Sequence, residues 1–252
     1  MKTQLFAAAA ILAVAVSAPA FAQNIGSVGA AVDYNNIDTN AGSADGTSVV
    51  IDGSVAIPTG SWTITGAADV SIADSDVSQR TVATGAVHAT TVVGNGLRIG
   101  GFTALSRPSN DTLWAVGGEA QKYLGNTTLT GLVAYGQSND LDADLWTVRA
   151  GANYFVSDDF RLDGGLGWSK VDGRFADADI WDISVGGEYK FANTGWSTFA
   201  KYTHSEADDL ADLKSDAVKV GLRYTFGGSL KARNASGADL ATGSDLFGFL
   251  AR

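Results

Sequence analysis

The sequence contains no cysteine, only three prolines among its 252 residues, and one methionine, the initiator. Without cysteine, a disulfide framework, a thiol nucleophile and a thiolate metal site are excluded. The net charge of −10 argues against nucleic-acid binding, which needs a basic surface. No apolar run after residue 16 approaches the roughly 20 residues of a membrane-spanning helix. Few prolines together with 31 glycines are typical of closely packed strands rather than of a disordered linker.

The first 22 residues have the organisation of a secretory signal peptide. Lys2 supplies the positive start, residues 5–16 are apolar, and Ala20-Phe21-Ala22 is a small-any-small cleavage site. A membrane anchor is the alternative, but the apolar run is shorter than a spanning helix requires. We therefore predict that residues 1–22 are a signal peptide and that the mature chain is exported.

The apolar residues of the chain recur with a period of two. At positions 218, 220, 222, 224 and 226, large apolar side chains alternate with polar or small ones, which places all five on one face of a strand. Most segments of this kind reach the roughly 9–11 residues that cross a bilayer as tilted β-structure. The pattern predicts twelve strands, at about 25–34, 48–57, 61–72, 80–93, 97–106, 112–123, 127–137, 145–156, 160–169, 180–191, 196–204 and 215–226.

The connections between these strands alternate between tight turns and longer acidic loops. Short turns at one end and longer loops at the other are typical of transmembrane β-barrels, as are tryptophans and tyrosines near strand ends. A soluble β-sandwich is the alternative, but it requires one polar, solvated face on each sheet. The sequence therefore predicts an all-β fold, with a single closed antiparallel transmembrane barrel over residues 23–226.

The inward face of this barrel is predicted to be polar and charged. Acidic residues of strands one to three and basic residues of strands eight, nine, eleven and twelve would line opposite walls, and their transverse field would favour polar solutes. Twelve strands lie between a filled eight-stranded barrel and an open sixteen-stranded one, so a closed interior of ion pairs is the alternative to a narrow pore. The predicted lumen-lining charges are Asp33, Asp52, Asp69, Arg98, Glu119, Arg149, Arg161, Asp163, Asp182, Glu188, Lys201, Lys219 and Arg223.

No catalytic residue, metal ligand or cofactor site is predicted. His204 and Ser205 are adjacent, but neighbouring residues of a strand point to opposite faces, so a hydrolytic pair would need a bulge. His88 stands alone in the fourth strand and is predicted to be structural or lumen-facing. Residues 140–144 begin like a calcium loop but lack its glycine and final glutamate, which favours a solvated acidic loop.

The run Lys219-Val220-Gly221-Leu222-Arg223-Tyr224-Thr225-Phe226 resembles the terminal-strand signature of bacterial outer-membrane β-barrels, with Lys219, Gly221, Tyr224 and Phe226 at its defining positions. Together with the signal peptide, it makes the chain resemble the small porin-like barrels of Gram-negative bacteria, of the alphaproteobacterial type. The resemblance implies passive diffusion of small hydrophilic solutes without a cofactor. It also implies contact with outer-membrane lipid and lipopolysaccharide, and insertion by the barrel assembly machinery after escort by periplasmic chaperones. The alternatives are a closed structural or surface-interaction barrel and, more distantly, an outer-membrane lipid hydrolase.

Residues 227–252 follow this signature, which normally closes the chain. Gly227 and Gly228 interrupt the alternation, and residues 229–243 are small and polar, as in a flexible linker. A short apolar end contains Leu246, Phe247, Phe249 and Leu250. We predict a periplasmic C-terminal extension that is mobile or docked at the mouth of the lumen, where these four side chains would be covered.

Overall fold

The structure is a computed structural model, and it describes residues 24–40, 42–75, 78–108, 112–138, 142–174, 177–208 and 213–247. The predicted signal peptide lies outside the described residues, as do residues 248–252 with Phe249 and Leu250.

Twelve antiparallel strands formed by the described residues close into one barrel, which confirms the predicted fold class. Each strand pairs with its neighbours in sequence, and β12 pairs with β1, with Gly26 opposite Phe226. The barrel therefore closes at the predicted last strand. The strands are β1 (Ile25–Thr39), β2 (Gly42–Thr59), β3 (Trp62–Ser75), β4 (Ser78–Val93), β5 (Leu97–Pro108), β6 (Leu113–Leu124), β7 (Thr127–Ser138), β8 (Ala143–Ser157), β9 (Phe160–Gly173), β10 (Asp177–Lys190), β11 (Trp196–Asp208) and β12 (Leu213–Phe226).

Several strands extend further toward the long-loop end than the sequence pattern predicts. The longest predicted loop, residues 35–47, is largely a hairpin, because β1 continues to Thr39 and β2 begins at Gly42. The polar side chains of this extension were interpreted as loop because they no longer alternate with apolar ones. The opposite end has the tight turns that were predicted, with positive φ angles at Gly60, Asn95 and Gly125. In barrels of this kind the tight-turn end faces the periplasm.

Large apolar side chains cover the outer face of the barrel. On β12, Val218, Val220, Leu222 and Tyr224 are all exposed, whereas the residues between them point to the interior. Such a continuous apolar surface would be unfavourable in water and is suited to the hydrocarbon core of a bilayer. Aromatic rings contact each other near the strand ends, for example Trp196 and Tyr224 with ring centroids 5.3 Å apart. These contacts are consistent with the predicted aromatic girdle.

Gly221 of the terminal signature allows an inward aromatic ring to lie against the wall. A Cβ atom at this position would lie 2.7 Å from the Phe199 ring and 2.5 Å from the carbonyl oxygen of Ala30. The Arg223 guanidinium in turn lies 4.3 Å above the centre of the Phe199 ring. The glycine therefore supports the position of a lumen cation as well as the packing of the wall.

We expect Gly221→Ala to destabilise the barrel by about 1–3 kcal/mol, because the added methyl group overpacks this contact. The urea midpoint for unfolding in vesicles, followed by tryptophan fluorescence, measures the effect. Gly66→Ala is the matched control, because a Cβ atom at Gly66 meets no atom within 4 Å. Equal midpoints for the two variants would contradict the explanation.

Two short helices follow the last strand, α1 (Leu230–Ser236) and α2 (Gly243–Phe247). The Ser229 hydroxyl accepts a hydrogen bond of 3.1 Å from the backbone N–H of Ala232, and Gly237 ends the helix with a φ of 88°. The interpretation of residues 229–243 as a flexible linker is therefore wrong for its first half. Neither helix has the length and apolar character needed to cross a membrane, among the residues that the structure describes.

Candidate functional site

The charged side chains of the inner wall form ion pairs between nearby strands. Arg149 of β8 donates two hydrogen bonds of 2.9 Å to the carboxylate of Asp182 on β10. Because β12 is paired with β1, its basic residues lie beside the acidic residues of β1 and β2. The predicted separation of acids and bases onto opposite walls is therefore wrong. The pairs across this seam are Lys219 with Asp33 at 3.4 Å and Arg223 with Asp52 at 3.0 Å.

The predicted lumen charges all occupy inward positions of their strands, and most of them border open space. Arg98 and Glu188 do not border the cavities described below, and instead contact the C-terminal segment. The other eleven line these cavities: Asp33, Asp52, Asp69, Glu119, Arg149, Arg161, Asp163, Asp182, Lys201, Lys219 and Arg223. Their effect on solutes stays a prediction.

The segment Ser229–Phe247, which we call the C-terminal plug, lies inside the barrel. Three strands of the wall donate hydrogen bonds to it. The Thr128 hydroxyl donates to the Asn234 side chain at 2.7 Å, and Arg98 donates to the Ala235 carbonyl at 2.8 Å. The Thr65 hydroxyl donates to the Gly237 carbonyl at 3.0 Å. The described part of the predicted periplasmic extension therefore lies in the lumen. Polar side chains on the inner wall form the hydrogen bonds that the polar groups of the plug would otherwise form with bulk water.

The plug enters at the tight-turn end and reaches the loop-side half of the lumen. Near its start, the backbone N–H of Lys231 donates to the carbonyl of Asp158, in the turn between β8 and β9. At its other end, Phe247 is 1% exposed and belongs to an apolar cluster that includes Leu145, near the long-loop end of β8. Burying a side chain of this size contributes about 1.5–3 kcal/mol. The plug is thus held at both ends.

Arg233 anchors the first helix of the plug. Its side chain is completely buried, and it donates hydrogen bonds to Glu188 at 2.6 and 3.0 Å, to Asp239 at 2.7 Å and to the Thr225 hydroxyl at 2.7 Å. Burial alone would lower the pKa of Arg233, but the carboxylates of Asp239 and Glu188 raise it above its usual range. The guanidinium therefore stays charged, and its charge is balanced within the barrel.

Glu188 of the wall forms the most deeply buried of the ion pairs between the wall and the plug. Besides Arg233, it lies 3.2 Å from Arg161 of β9 and 3.2 Å from Arg223 of β12, and the Ser197 hydroxyl donates to it at 2.7 Å. A carboxylate with no exposed side-chain surface is acceptable only with several charged or hydrogen-bonding partners. Arg233 therefore completes a network that the wall begins.

Asp245 connects the second helix of the plug to the wall. One carboxylate oxygen accepts hydrogen bonds from the backbone N–H and the hydroxyl of Thr242 at 2.8 and 2.9 Å, and the other lies 3.7 Å from Lys201. Partial burial opposes ionisation, but the Lys201 ammonium and the bonds from Thr242 lower the pKa of Asp245 to about 2. Asp245 is therefore ionised at neutral pH.

Polar cavities remain around the plug. One of about 150 Å³ opens above it, with Asp245 and Leu246 at its floor and Arg149 in its wall. Two others, of about 190 and 240 Å³, lie alongside the plug and are bordered by Asp239. Each has room for several water molecules. With the plug docked, the lumen therefore keeps polar cavities that are large enough for water.

His204 and Ser205, the two neighbours considered for a hydrolytic pair, point to opposite faces of β11. His204 faces outward and contacts Asp216 at 2.8 Å, whereas the buried Ser205 faces the cavity above the plug. His88 is buried in the wall and contacts Glu119 at 2.7 Å, which places it on the inward face, as predicted. Among the described residues, no group of three or more His, Cys, Asp or Glu side chains is arranged to hold a metal ion.

The charged residues of the plug were not predicted as part of the site. Arg233, Asp239 and Asp245 lie in a segment that was interpreted as a linker and a tail. The signal that was available is Ser229 at the start and Gly237 at the end of a short helical segment, which are the preferred residues at helix ends.

Comparisons with known proteins agree with this architecture. A family model described as "Gram-negative porin" matches residues 81–239, which is more than half of the chain. No curated protein matches the sequence at a significant level.

Solved structures show the same fold at low sequence identity. The KdgM porin in complex with disordered oligogalacturonate is 11% identical, with a TM-score of 0.53 over 78% of this chain and 99% of that one. An outer membrane channel from Pseudomonas putida F1 is 12% identical, with a TM-score of 0.56 over 80% and 96%. The translocator domain of the autotransporter NalP from Neisseria meningitidis is 14% identical, with a TM-score of 0.53 over 89% and 95%.

Proposed function

Because the chain belongs to the Gram-negative porin family, we propose that it is an outer-membrane channel for passive diffusion of small hydrophilic solutes through a charged lumen. The observation that carries the proposal is the contrast between the two faces of the barrel. The outer face is apolar, and the cavities inside are bordered by eleven charged wall residues. Polar walls lower the cost of transferring a polar solute out of bulk water.

The position of the plug favours a second candidate, a closed barrel with a structural role. The buried contacts of Arg233 and Phe247 fill space that a solute would need. Twelve strands enclose more space than their own side chains fill, so a barrel of this size requires either water or a plug. The two candidates differ in whether solutes pass while the plug is docked.

A non-enzymatic role is part of the proposal. The opposite orientations of His204 and Ser205 support it, because a hydrolase of the Ser–His type needs both groups within hydrogen-bonding reach. No cofactor is required for diffusion.

The protein lies in the outer membrane, and its outer face contacts membrane lipid. We also propose that lipopolysaccharide surrounds its long-loop end and that periplasmic chaperones escort the unfolded chain. In this proposal the barrel assembly machinery reads the terminal signature at Lys219, Gly221, Tyr224 and Phe226. The register of β12 against β1 supports the last point, because these residues lie in the strand that closes the barrel.

We expect the purified full-length protein to produce small but discrete conductance steps in planar lipid bilayers in KCl, because narrow polar spaces surround the docked plug. Protein unfolded by boiling is the control, and a heat-dependent gel mobility confirms that the sample is a folded barrel. Conductance of the full-length protein no higher than background would favour the closed structural barrel, even if a variant without the plug conducts.

A further inference from the structure

Two lysines face each other across β11 and β12 on the inner wall. Lys201 and Lys219 are directly opposite in the register of these strands. Like charges at such positions are destabilising unless an anion lies nearby. Lys219 has Asp33 of the wall at 3.4 Å. Among the described residues, the carboxylate within ion-pairing distance of Lys201 is that of Asp245, which belongs to the plug.

Arg161 also has its shortest ion pair with the plug. Its Nη1 atom lies 2.8 Å from Asp239, whereas the wall carboxylates of Glu188 and Asp163 are 3.2 and 3.5 Å away. Asp239 accepts a further bond from Arg233 at 2.7 Å. Arg161 and Lys201 border the same cavity, together with Asp239 and Asp245. The plug therefore places two carboxylates, Asp239 and Asp245, against two cations that line the same cavity.

These contacts differ in strength and in access to water. The Arg161 side chain is only 12% exposed, whereas the side chains of Lys201 and Asp245 are 39% and 37% exposed. The pair of Lys201 and Asp245 is long, partly wet and separated from the Arg233 anchor by the residues between α1 and α2. An ion pair of this kind contributes little by itself, so a dissolved anion can replace the plug carboxylate there.

We propose that Arg161 and Lys201 form a carboxylate-binding site in the lumen wall, that Asp239 and Asp245 occupy it, and that solutes with two carboxylates compete with the plug for it. The guanidinium supplies paired N–H donors to one carboxylate, and the ammonium supplies a point charge to the other. The plug is then a tethered competitor, present at an effective concentration on the order of millimolar. The site deepens the proposed channel function, since it names the class of solute that would be retained in the lumen.

The test is succinate binding by titration calorimetry to full-length protein in detergent. The Asp239→Asn/Asp245→Asn variant is expected to bind succinate about ten-fold more tightly than the wild type, because the tethered competitor no longer neutralises the site. Acetate, with one carboxylate, is expected to bind weakly to both. Adding Lys201→Gln and Arg161→Gln to the double variant should abolish the gain.

Asp163→Asn is the matched control. It removes one lumen carboxylate from the same cavity but leaves Arg161 with two others and Lys201 with Asp245. This variant is expected to gain less succinate affinity than the double variant, because both plug carboxylates stay on the site. If Asp163→Asn gained as much succinate affinity as the double variant, the net charge of the lumen would explain the gain, and the proposal would be overturned. No gain in the double variant, or a gain that survives loss of Lys201 and Arg161, would also overturn it.

The reversal potential in a KCl gradient is the second readout. The double variant should shift toward anion permeation by more than Asp163→Asn does, because only the double variant removes the plug carboxylates from Lys201 and Arg161. This readout rests on the proposed channel function, whereas calorimetry does not. If the protein conducts no ions but the double variant gains succinate affinity, the channel function fails and the site stands. If the protein conducts and neither readout changes, the site fails and the channel function stands.

Discussion

Ending the chain after Gly228 is expected to raise the single-channel conductance in KCl several-fold. The truncated chain keeps all twelve strands and the closing pairing of β12 with β1, and it ends two residues beyond the terminal signature. It loses the helix that crosses the lumen and the apolar contacts of Leu246 and Phe247. Without the plug, the space it fills and the cavities that border it would form one passage lined by the same charges. Recordings in planar bilayers measure the change.

The control for this experiment is the assembly of the truncated barrel. Its gel mobility should depend on heating as it does for the full-length protein, because the plug contributes no strand to the wall. Unchanged conductance in a correctly assembled truncated barrel would contradict the assignment of Ser229–Phe247 as the element that narrows the lumen.

The strands and their orientation could be predicted because lipid and water act on the two faces separately. A strand that crosses a bilayer must alternate, and the alternation at Val220, Leu222 and Tyr224 identifies the outward face without knowledge of its neighbours. The same logic identifies the inward charges, including Arg149 and Lys201. It also explains why the long-loop ends were misassigned, since strands that extend beyond the bilayer need not alternate.

The pairing of the lumen charges could not be predicted in the same way. Which acid meets which base depends on the closure of the ring, and this closure brings Arg223 to Asp52, 171 residues away in sequence. The linear order of the strands suggested that acidic and basic residues lie on opposite walls. In the closed barrel, however, β12 is a neighbour of β1, so its basic residues lie beside the acidic ones. Registers and closure are properties of the assembled sheet.

Docking at the mouth of the lumen was one of the two predicted states of the extension, but the helix of the plug and its depth in the lumen escaped prediction because its stability comes from the barrel. A helix of seven residues is too short to be stable alone, and its charged residues find their partners on distant strands. Arg233 lies 45 residues from Glu188 in sequence. The capping residues Ser229 and Gly237 were the local signal. They indicate a helix but not its place in the lumen.

Arg233→Met is expected to give the full-length protein the conductance of the truncated barrel. The substitution leaves the buried carboxylates of Glu188 and Asp239 with one cation fewer, although Arg161 and Arg223 remain near Glu188. Removing one partner of a buried ion pair costs about 3 kcal/mol or more. Because the barrel closes without the plug, this cost acts on docking and shifts the docked-to-free ratio about 100-fold. Conductance recordings measure the result.

Trypsin cleavage after Lys231 gives an independent measurement of the same equilibrium. In the docked plug, the backbone N–H of Lys231 is bonded to Asp158 and its ammonium lies 2.7 Å from the Asn126 side chain. Undocking should expose this peptide bond, so Arg233→Met is expected to be cleaved much faster than the wild type. The conductance control is Lys231→Met, which removes a charge from the same helix but only an exposed hydrogen bond, and should therefore leave the conductance unchanged. If Arg233→Met kept both the wild-type conductance and the wild-type resistance to trypsin, the apolar contacts of Phe247 would have to hold the plug without the buried ion pairs.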